Sequence, residues 1–284
     1  MNQIEKVRAA VDYIECHLDK GTDLDEVAAA LHYSKYHLHR AFSAAVGITI
    51  HEYQQRRRLT EAAGQLIDSD RSILDIALSS GYESQQAFSA VFKDMYKLPP
   101  RKFRERAVFY PLQLKFDFRG DFSLLHGSHA DLLSRIRPAG REDIACWMEL
   151  VRLVVDGFPF LQEEDYIETL TERIGREQAY ILKDGEIAVG IMLFCNHTGH
   201  LDFFGIHPLY HKKGVGQAFL EKAMELLQPG NESISITTYR AGDKADSRYR
   251  QLLSELGFTE AELLIEYGYP TQQFVLAKQN FFHC

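Results

Sequence analysis

His211–Leu220 (HKKGVGQAFL) is the stretch whose residue types most clearly suit a chemical task. Two glycines flank Val215 where an apolar strand pattern gives way to a helical one. The first N–H groups of a helix have no internal partner, and glycine lets a ligand approach them closely. With the helix dipole, and with Lys212 and Lys213 beside it, such a loop can hold an anion. A second arrangement lies in Ser72–Arg104. There Gln85, Gln86, Ser89 and Lys93 form the polar face of a helix whose other face is Phe88, Val91, Phe92 and Met95. A short helix ahead of this one, with Gly81 as the turn, makes a pattern suited to a DNA major groove.

The elements that would position the second arrangement can be read in order. Asn2–Leu18 is amphipathic, with Ile4, Val7, Val11, Ile14 and Leu18 at alternating spacings of three and four. Gly21 ends it. Asp23 and Glu26 resemble a capping box for the next helix, which carries Leu24, Val27, Ala28 and Leu31. After a turn at His32 and Tyr33, the spacing predicts a helix over Lys35–Val46, closed by Gly47. Ile50–Asp68 follows as a longer helix containing Arg56, Arg57 and Arg58. Ser84 is placed to cap the later helix, and Pro99 and Pro100 end it. Ser34, Leu38, Phe42, Gly47 and Tyr53 recur 50 residues on as Ser84, Phe88, Phe92, Lys97 and Phe103. A fixed-period repeat is an architectural signal, so a helix-turn-helix is present twice.

Residues 3–106 resemble the DNA-binding domain of the AraC/XylS family of transcription regulators. Arg58-Leu59 with Ala62 and Leu66 matches the connecting helix. Asp70, Ile73, Ile76-Ala77, Gly81-Tyr82, Phe88, Phe92-Lys93, Pro100, Phe103 and Arg104 match the second motif. Ala90 stands where the family usually has Arg, and Lys97 where it has Gly. The resemblance implies two recognition helices entering successive major-groove faces of double-stranded DNA. The residues expected to read base edges are Lys35, Tyr36, His37 and His39 from the first, and Gln85, Gln86 and Ser89 from the second. Glutamine can pair with adenine through N6 and N7. Arg40, Arg56, Arg57, Lys93, Arg101 and Lys102 are the candidate phosphate contacts, which position without specifying. Glu52 and Glu61 are available to pair with part of the arginine run.

Length and composition frame these readings. A chain of 284 residues predicts more than one domain, and 45% apolar with 25% charged residues is an ordinary globular composition. No apolar run reaches the roughly 18–20 residues needed to span a membrane, and the N-terminus lacks signal-peptide character. Cys16, Cys146, Cys195 and Cys284 have no CxxC spacing, which predicts neither a metal site nor a disulfide framework and suits a reducing cytoplasm. Residues 1–107 carry 15 Lys+Arg against 15 Asp+Glu. The net charge of −8 therefore falls in the remainder, a poor surface for DNA.

The expected organisation is multidomain: an all-α double helix-turn-helix domain over 1–107, a structured linker over 108–131, and an α/β mixed-sheet domain over 132–284. In the linker, Pro111–Phe118 alternates apolar and polar residues, which predicts a strand, and Arg119-Gly120-Asp121 a turn. From Leu132 strands and helices alternate. Leu132–Pro138 reads as a strand, Glu142–Asp156 and Glu163–Glu177 as helices, and Ala179–Lys183 with Glu186–Cys195 as a hairpin about Asp184-Gly185. His200–Ile206 and Ser233–Thr238 read as strands, Val215–Leu227 and Ser247–Leu256 as helices, and Leu263–Tyr267 and Phe274–Lys278 as closing strands.

Residues 133–278 resemble the GNAT acetyltransferase family through Ile206-x-Pro208, the six-residue loop from His211 to Gly216, Leu220, and Leu256-Gly257-Phe258. The resemblance implies that Ile206, His211, Lys212, Lys213, Gly214, Val215, Gly216 and Gln217 bind the pyrophosphate of acetyl-CoA. His211 replaces the family's usual Gln or Arg. Acetyl transfer needs a base for the acceptor amine and benefits from an acid for the thiolate. Asp202 and His200, alternating to one face of a strand, are candidate bases. Leu253 occupies the position where the family often has Tyr, and Tyr249, one turn earlier, is the candidate substitute. Glu163, Glu164, Tyr267 and Tyr269 are candidates to line the acceptor mouth. Three readings stay open: a regulator whose second domain senses acetyl-CoA or another ligand, an active N-acetyltransferase of a small amine with an accessory DNA module, and a non-catalytic domain for structure or homodimerisation.

Overall fold

The computed structural model describes residues 3–116, 118, 122–154, 162–266 and 268–281. These fall into two units, one ending at Phe118 and the other built from the described residues after it.

Unit 1 is helical. It contains α1 (Gln3–Cys16), α2 (Leu24–Ala30), α3 (Lys35–Val46), α4 (Ile50–Asp68), α5 (Ile73–Ser79), α6 (Gln85–Tyr96) and α7 (Pro100–Arg106). Side-chain caps set several starts. Asp23 and Glu26 form a capping box at α2, as Thr49 and Glu52 do at α4, and Ser84 accepts from the Ala87 N–H at α6. The 50-residue repeat holds in three dimensions. Leu38 and Phe88, Phe42 and Phe92, and Tyr53 and Phe103 are all buried. Gly47 and Lys97 end their helices at φ +86° and +61°, so Lys97 adopts a left-handed conformation that glycine takes more cheaply. The second repeat packs Phe88, Phe92, Tyr96, Phe103 and Tyr110 against Leu59, Ala62, Ala63 and Leu66 of α4. Burying such a side chain contributes about 1.5–3 kcal/mol.

Pro111–Phe118 is not a strand: its described residues belong to no ladder. The alternation reflects one-sided burial, with Leu112 and Phe116 inward. The backbone is satisfied by side chains of unit 1. Leu112 N and Gln113 N donate to Thr60 Oγ1 at 3.0 and 3.1 Å, and Phe116 N to the Tyr53 hydroxyl at 3.1 Å. Arg8 donates to Phe118 O at 2.9 Å. The expected turn at Arg119-Gly120-Asp121 lies outside the described residues.

Unit 2 is a seven-stranded mixed sheet flanked by helices. Its first helix, α8 (His129–Arg135), occupies most of the stretch expected as a strand, because Ser128 caps it through the Asp131 N–H. Only Arg137–Pro138 pairs, as β1. Then come α9 (Ile144–Val154), α10 (Glu163–Gly175), β2 (Ala179–Asp184), β3 (Ile187–Cys195), β4 (His200–Ile206), α11 (Val215–Leu226), β5 (Ser233–Tyr239), α12 (Tyr249–Glu255), β6 (Thr259–Glu266) and β7 (Tyr269–Ala277). The order is β1-β2-β3-β4-β5-β7-β6. Only β4 and β5 are parallel, bridged at His200↔Ser235 alone; the other neighbours are antiparallel. Helices lie on both faces. A Cβ built on Gly190 would stand 2.3 Å from Phe219 of α11, and one on Gly205, which faces the other way, 2.9 Å from Val154 of α9. Glycine is thus required where α11 and α9 approach β3 and β4.

Candidate functional site

In unit 1 the first turns of α3 and α6 present the expected base-reading residues to solvent. Lys35, Tyr36, His37, His39, Gln85 and Gln86 are exposed and Ser89 is half-buried. Tyr36 is 78% exposed, so it is not a packing residue. Lys35 reaches Asp25 of α2 at 2.5 Å, which raises its pKa and already engages the ammonium within the unit. Of the phosphate candidates, Arg40, Lys93, Arg101 and Lys102 are exposed, with Arg101 paired to Glu105 at 3.1 Å.

Arg56 and Arg57 correct the expectation. They are 3% and 7% exposed and cannot reach a phosphate. Arg57 grips Glu15 of α1 through Nε and Nη2, both at 2.8 Å, and also pairs with Glu61 at 2.9 Å. Arg58, next in the run, donates to Leu18 O at 2.7 Å and packs its guanidinium against Gly21 and Gly81. The arginine run therefore ties α4 to both helix-turn-helix motifs. Arg104 does similar work, donating to Leu66 O and Arg71 O at 2.8 and 2.7 Å.

In unit 2 the glycine loop has the expected form. Gly214 sits at φ +80° and precedes α11, whose first intrahelical bond runs from Ala218 N to Gly214 O. The N–H groups of Val215, Gly216 and Gln217 thus have no carbonyl one turn earlier to bond. Lys212, Lys213 and Gln217 are exposed. His211 points inward instead: its ring nitrogen Nε2 meets Ile206 O at 2.9 Å, and burial lowers its pKa. Its neighbour His207 is buried and neutral, with its pKa lowered by burial to about 3. A Cβ on Gly216 would lie 2.7 Å from Leu256 and 3.0 Å from Ile206, so glycine lets α11 close on the end of β4.

Beyond the single bridge at His200↔Ser235, β4 and β5 share no pair, which leaves an opening between two parallel strands beside the loop. The Tyr249 hydroxyl donates to Phe204 O of β4 at 2.7 Å. Leu253 is fully buried and carries no polar group. The two expected bases have other partners. The register with β3 shifts between Leu193/Phe203 and Phe194/Leu201, so Asp202 is the extra residue of a bulge, and it pairs with Arg173 of α10 at 2.5 Å. His200 Nδ1 lies 3.1 Å from Ser235 Oγ, and its Nε2 is 4.0 Å from Asp202. Glu163 is held by Arg152 at 2.6 Å, which lowers its pKa, while Glu164 is exposed. The Tyr269 hydroxyl is bonded to Asp243. Tyr267 lies outside the described residues.

Sequence reasoning missed Arg173, Tyr210 and Asp184. Asp184 was legible only as a turn residue, yet it is 1% exposed and accepts from Ser123, the Leu124 N–H and Tyr210. Among the described residues no group of three or more His, Cys, Asp or Glu could hold a metal, and no helix is long and apolar enough to cross a membrane.

Comparison with known proteins places both units. Residues 27–106 match the family described as a helix-turn-helix domain, and residues 147–254 match the acetyltransferase (GNAT) family. The probable transcription factor PqrA of Proteus vulgaris is 43% identical over 104 residues, covering 36% of this chain and 85% of that protein. The HTH-type regulator YbfP of Bacillus subtilis (strain 168) is 39% identical over 98 residues, 34% of this chain but only 33% of its own length. A solved AraC-type regulator from Chromobacterium violaceum is 26% identical, with a TM-score of 0.36, covering 37% of this chain and 94% of that one. By the similarity of its first unit the chain belongs to the AraC-type DNA-binding transcription regulators, and it carries a GNAT-family domain as its second unit.

Proposed function

We propose that this regulator binds acetyl-CoA at the loop His211–Gln217. The observation that carries the reading is the start of α11. Three unpaired N–H groups lie behind a left-handed Gly214 and beside two exposed lysines, next to the opening between β4 and β5. Backbone amides there would hold the pyrophosphate, while His211 keeps the loop attached to Ile206. Bound acetyl-CoA would supply an activated acetyl group. In unit 1, Lys35, Tyr36, His37, His39, Gln85, Gln86 and Ser89 read base edges, and Arg40, Lys93, Arg101 and Lys102 hold phosphates. Titration calorimetry with acetyl-CoA tests the first part. Binding is expected in the full chain and loss in Gly214→Val, which puts a β-branched residue at φ +80°; no heat with the unaltered chain overturns it. Footprinting of the DNA upstream of its own gene tests the second, with protection over about two helical turns expected.

The second reading is catalysis, and Tyr249 favours it. Its hydroxyl lies on the β4 side of the opening, where it could protonate a departing thiolate. Asp202 and His200 are less available to an acceptor than the sequence suggests, since Asp202 is engaged by Arg173 and His200 lies against Ser235. Thiol release from acetyl-CoA with a panel of small amines separates the readings: sustained release identifies a catalyst, and binding without release a sensor.

A further inference from the structure

The stretch that opens unit 2 is fastened to the loop just described at three places. Asp184, at the end of β2, accepts from Ser123 Oγ at 2.6 Å and from the Leu124 N–H at 2.9 Å. The same carboxylate accepts from the Tyr210 hydroxyl at 2.7 Å. Tyr210 in turn begins the loop: its carbonyl takes the Lys213 N–H at 3.0 Å. Six residues on from Ser123, His129 Nε2 meets Glu221 of α11 at 2.6 Å. Then Leu132 of α8 closes over Gly214, 3.8 Å from where a Cβ would stand. Loop, carboxylate and strap form one hydrogen-bonded and packed assembly, and its part at Asp184 is a buried network of the kind that is disturbed as a whole when one member moves.

We propose that Phe122–Arg135 is an occupancy-sensing strap, tightened when acetyl-CoA orders the loop His211–Gln217. The proposal rests on the coenzyme reading above. Ordering the loop fixes Tyr210, Tyr210 fixes Asp184, and Asp184 fixes Ser123 and Leu124. Because the strap begins four residues after Phe118, the last described residue of unit 1, it is placed in the chain to report occupancy towards the DNA-binding unit. Coupling is reciprocal: whatever loosens the strap must weaken binding at the loop by the same factor.

Hydrogen exchange of the full chain, with and without saturating acetyl-CoA, tests the strap directly. The amides of the loop and of 122–135 are expected to slow together, by about fivefold or more, the lower end of typical coupling. Ser123→Ala removes one bond from the strap and leaves every loop residue in place. It is expected to weaken acetyl-CoA by a similar factor and to abolish slowing in 122–126 while the loop still slows. A purely structural role for Ser123 would change thermal stability and leave the affinity untouched. Loop protection with no change in 122–135, or unaltered affinity in Ser123→Ala, overturns the strap alone. No loop protection and no calorimetric heat overturn the coenzyme reading, and the strap with it.

Discussion

Arg57→Met distinguishes a structural arginine from a DNA contact, and its effect can be worked from the geometry. Arg57 and Glu15 have side chains 8% and 12% exposed, joined by two bonds of 2.8 Å, and Tyr53 donates to the same carboxylate at 2.7 Å. Removing the guanidinium strands a carboxylate in a nearly dry site. Breaking such a pair from one side costs about 3–5 kcal/mol. For a unit of this size that is about 12–20 °C in Tm, at about 2 cal/mol/K of unfolding entropy per residue. Urea unfolding followed by far-UV circular dichroism reads the loss. The double variant Glu15→Gln with Arg57→Met should recover most of it, because the uncompensated charge is gone. The DNA arm uses a duplex from upstream of the protein's own gene. Each phosphate contact contributes about 0.9 to the slope of log K against log salt, so Arg57→Met should leave the slope unchanged in conditions where it is folded. Wild-type stability together with a slope shallower by about 0.9 would refute the reasoning.

Arg40→Ala and Lys93→Ala should each do the opposite, making the salt slope shallower by about 0.9 and changing stability by no more than about 0.5 kcal/mol. Lys97→Gly should stabilise unit 1 by about 0.5–1 kcal/mol, because φ +61° costs a side-chain-bearing residue more than it costs glycine; the urea midpoint checks it. His207 makes unit 2 acid-sensitive. Its pKa is about 3 when folded and 6.5 when unfolded, so between those values the unfolded chain binds the extra proton and stability falls as pH drops. The loss is about 1.4 kcal/mol per pH unit, about 2 kcal/mol between pH 7.5 and 5. His211 is shifted the same way by burial and adds to it. Trp147, the only tryptophan, lies in the core of unit 2, and its fluorescence during urea unfolding reads the change. His207→Asn should flatten it.

What was legible in the sequence and what was not divide along a physical line. The bounds of α3 and α4 were readable to the residue from Gly47 and the apolar spacing because helix starts and stops depend on neighbours a few positions away; the capping box of Thr49 with Glu52, which the sequence analysis did not use, is equally local. The loop at Gly214 was readable for the same reason. Pro111–Phe118 was misread because a period of two records only that one side is buried. Whether the backbone bonds a strand or the side chains of Thr60 and Tyr53 is decided more than fifty residues away. Asp202 belongs to the same class: it stays 4.0 Å from His200, but the bulge against β3 and the ion pair with Arg173 of α10 that engage it are set by residues distant in sequence. The arginine run differs, since local geometry could have resolved it. Consecutive residues on a helix are about 100° apart, so Arg56, Arg57 and Arg58 cannot all face one ligand. A run of charge on a helix therefore predicts divergent fates for its members. Here α4 buries Arg56 and Arg57 and sets Arg58 between two turns, so that of the expected phosphate contacts only Arg40 of α3, Lys93 of α6, and Arg101 and Lys102 of α7 are exposed, and these are the ones proposed to meet DNA.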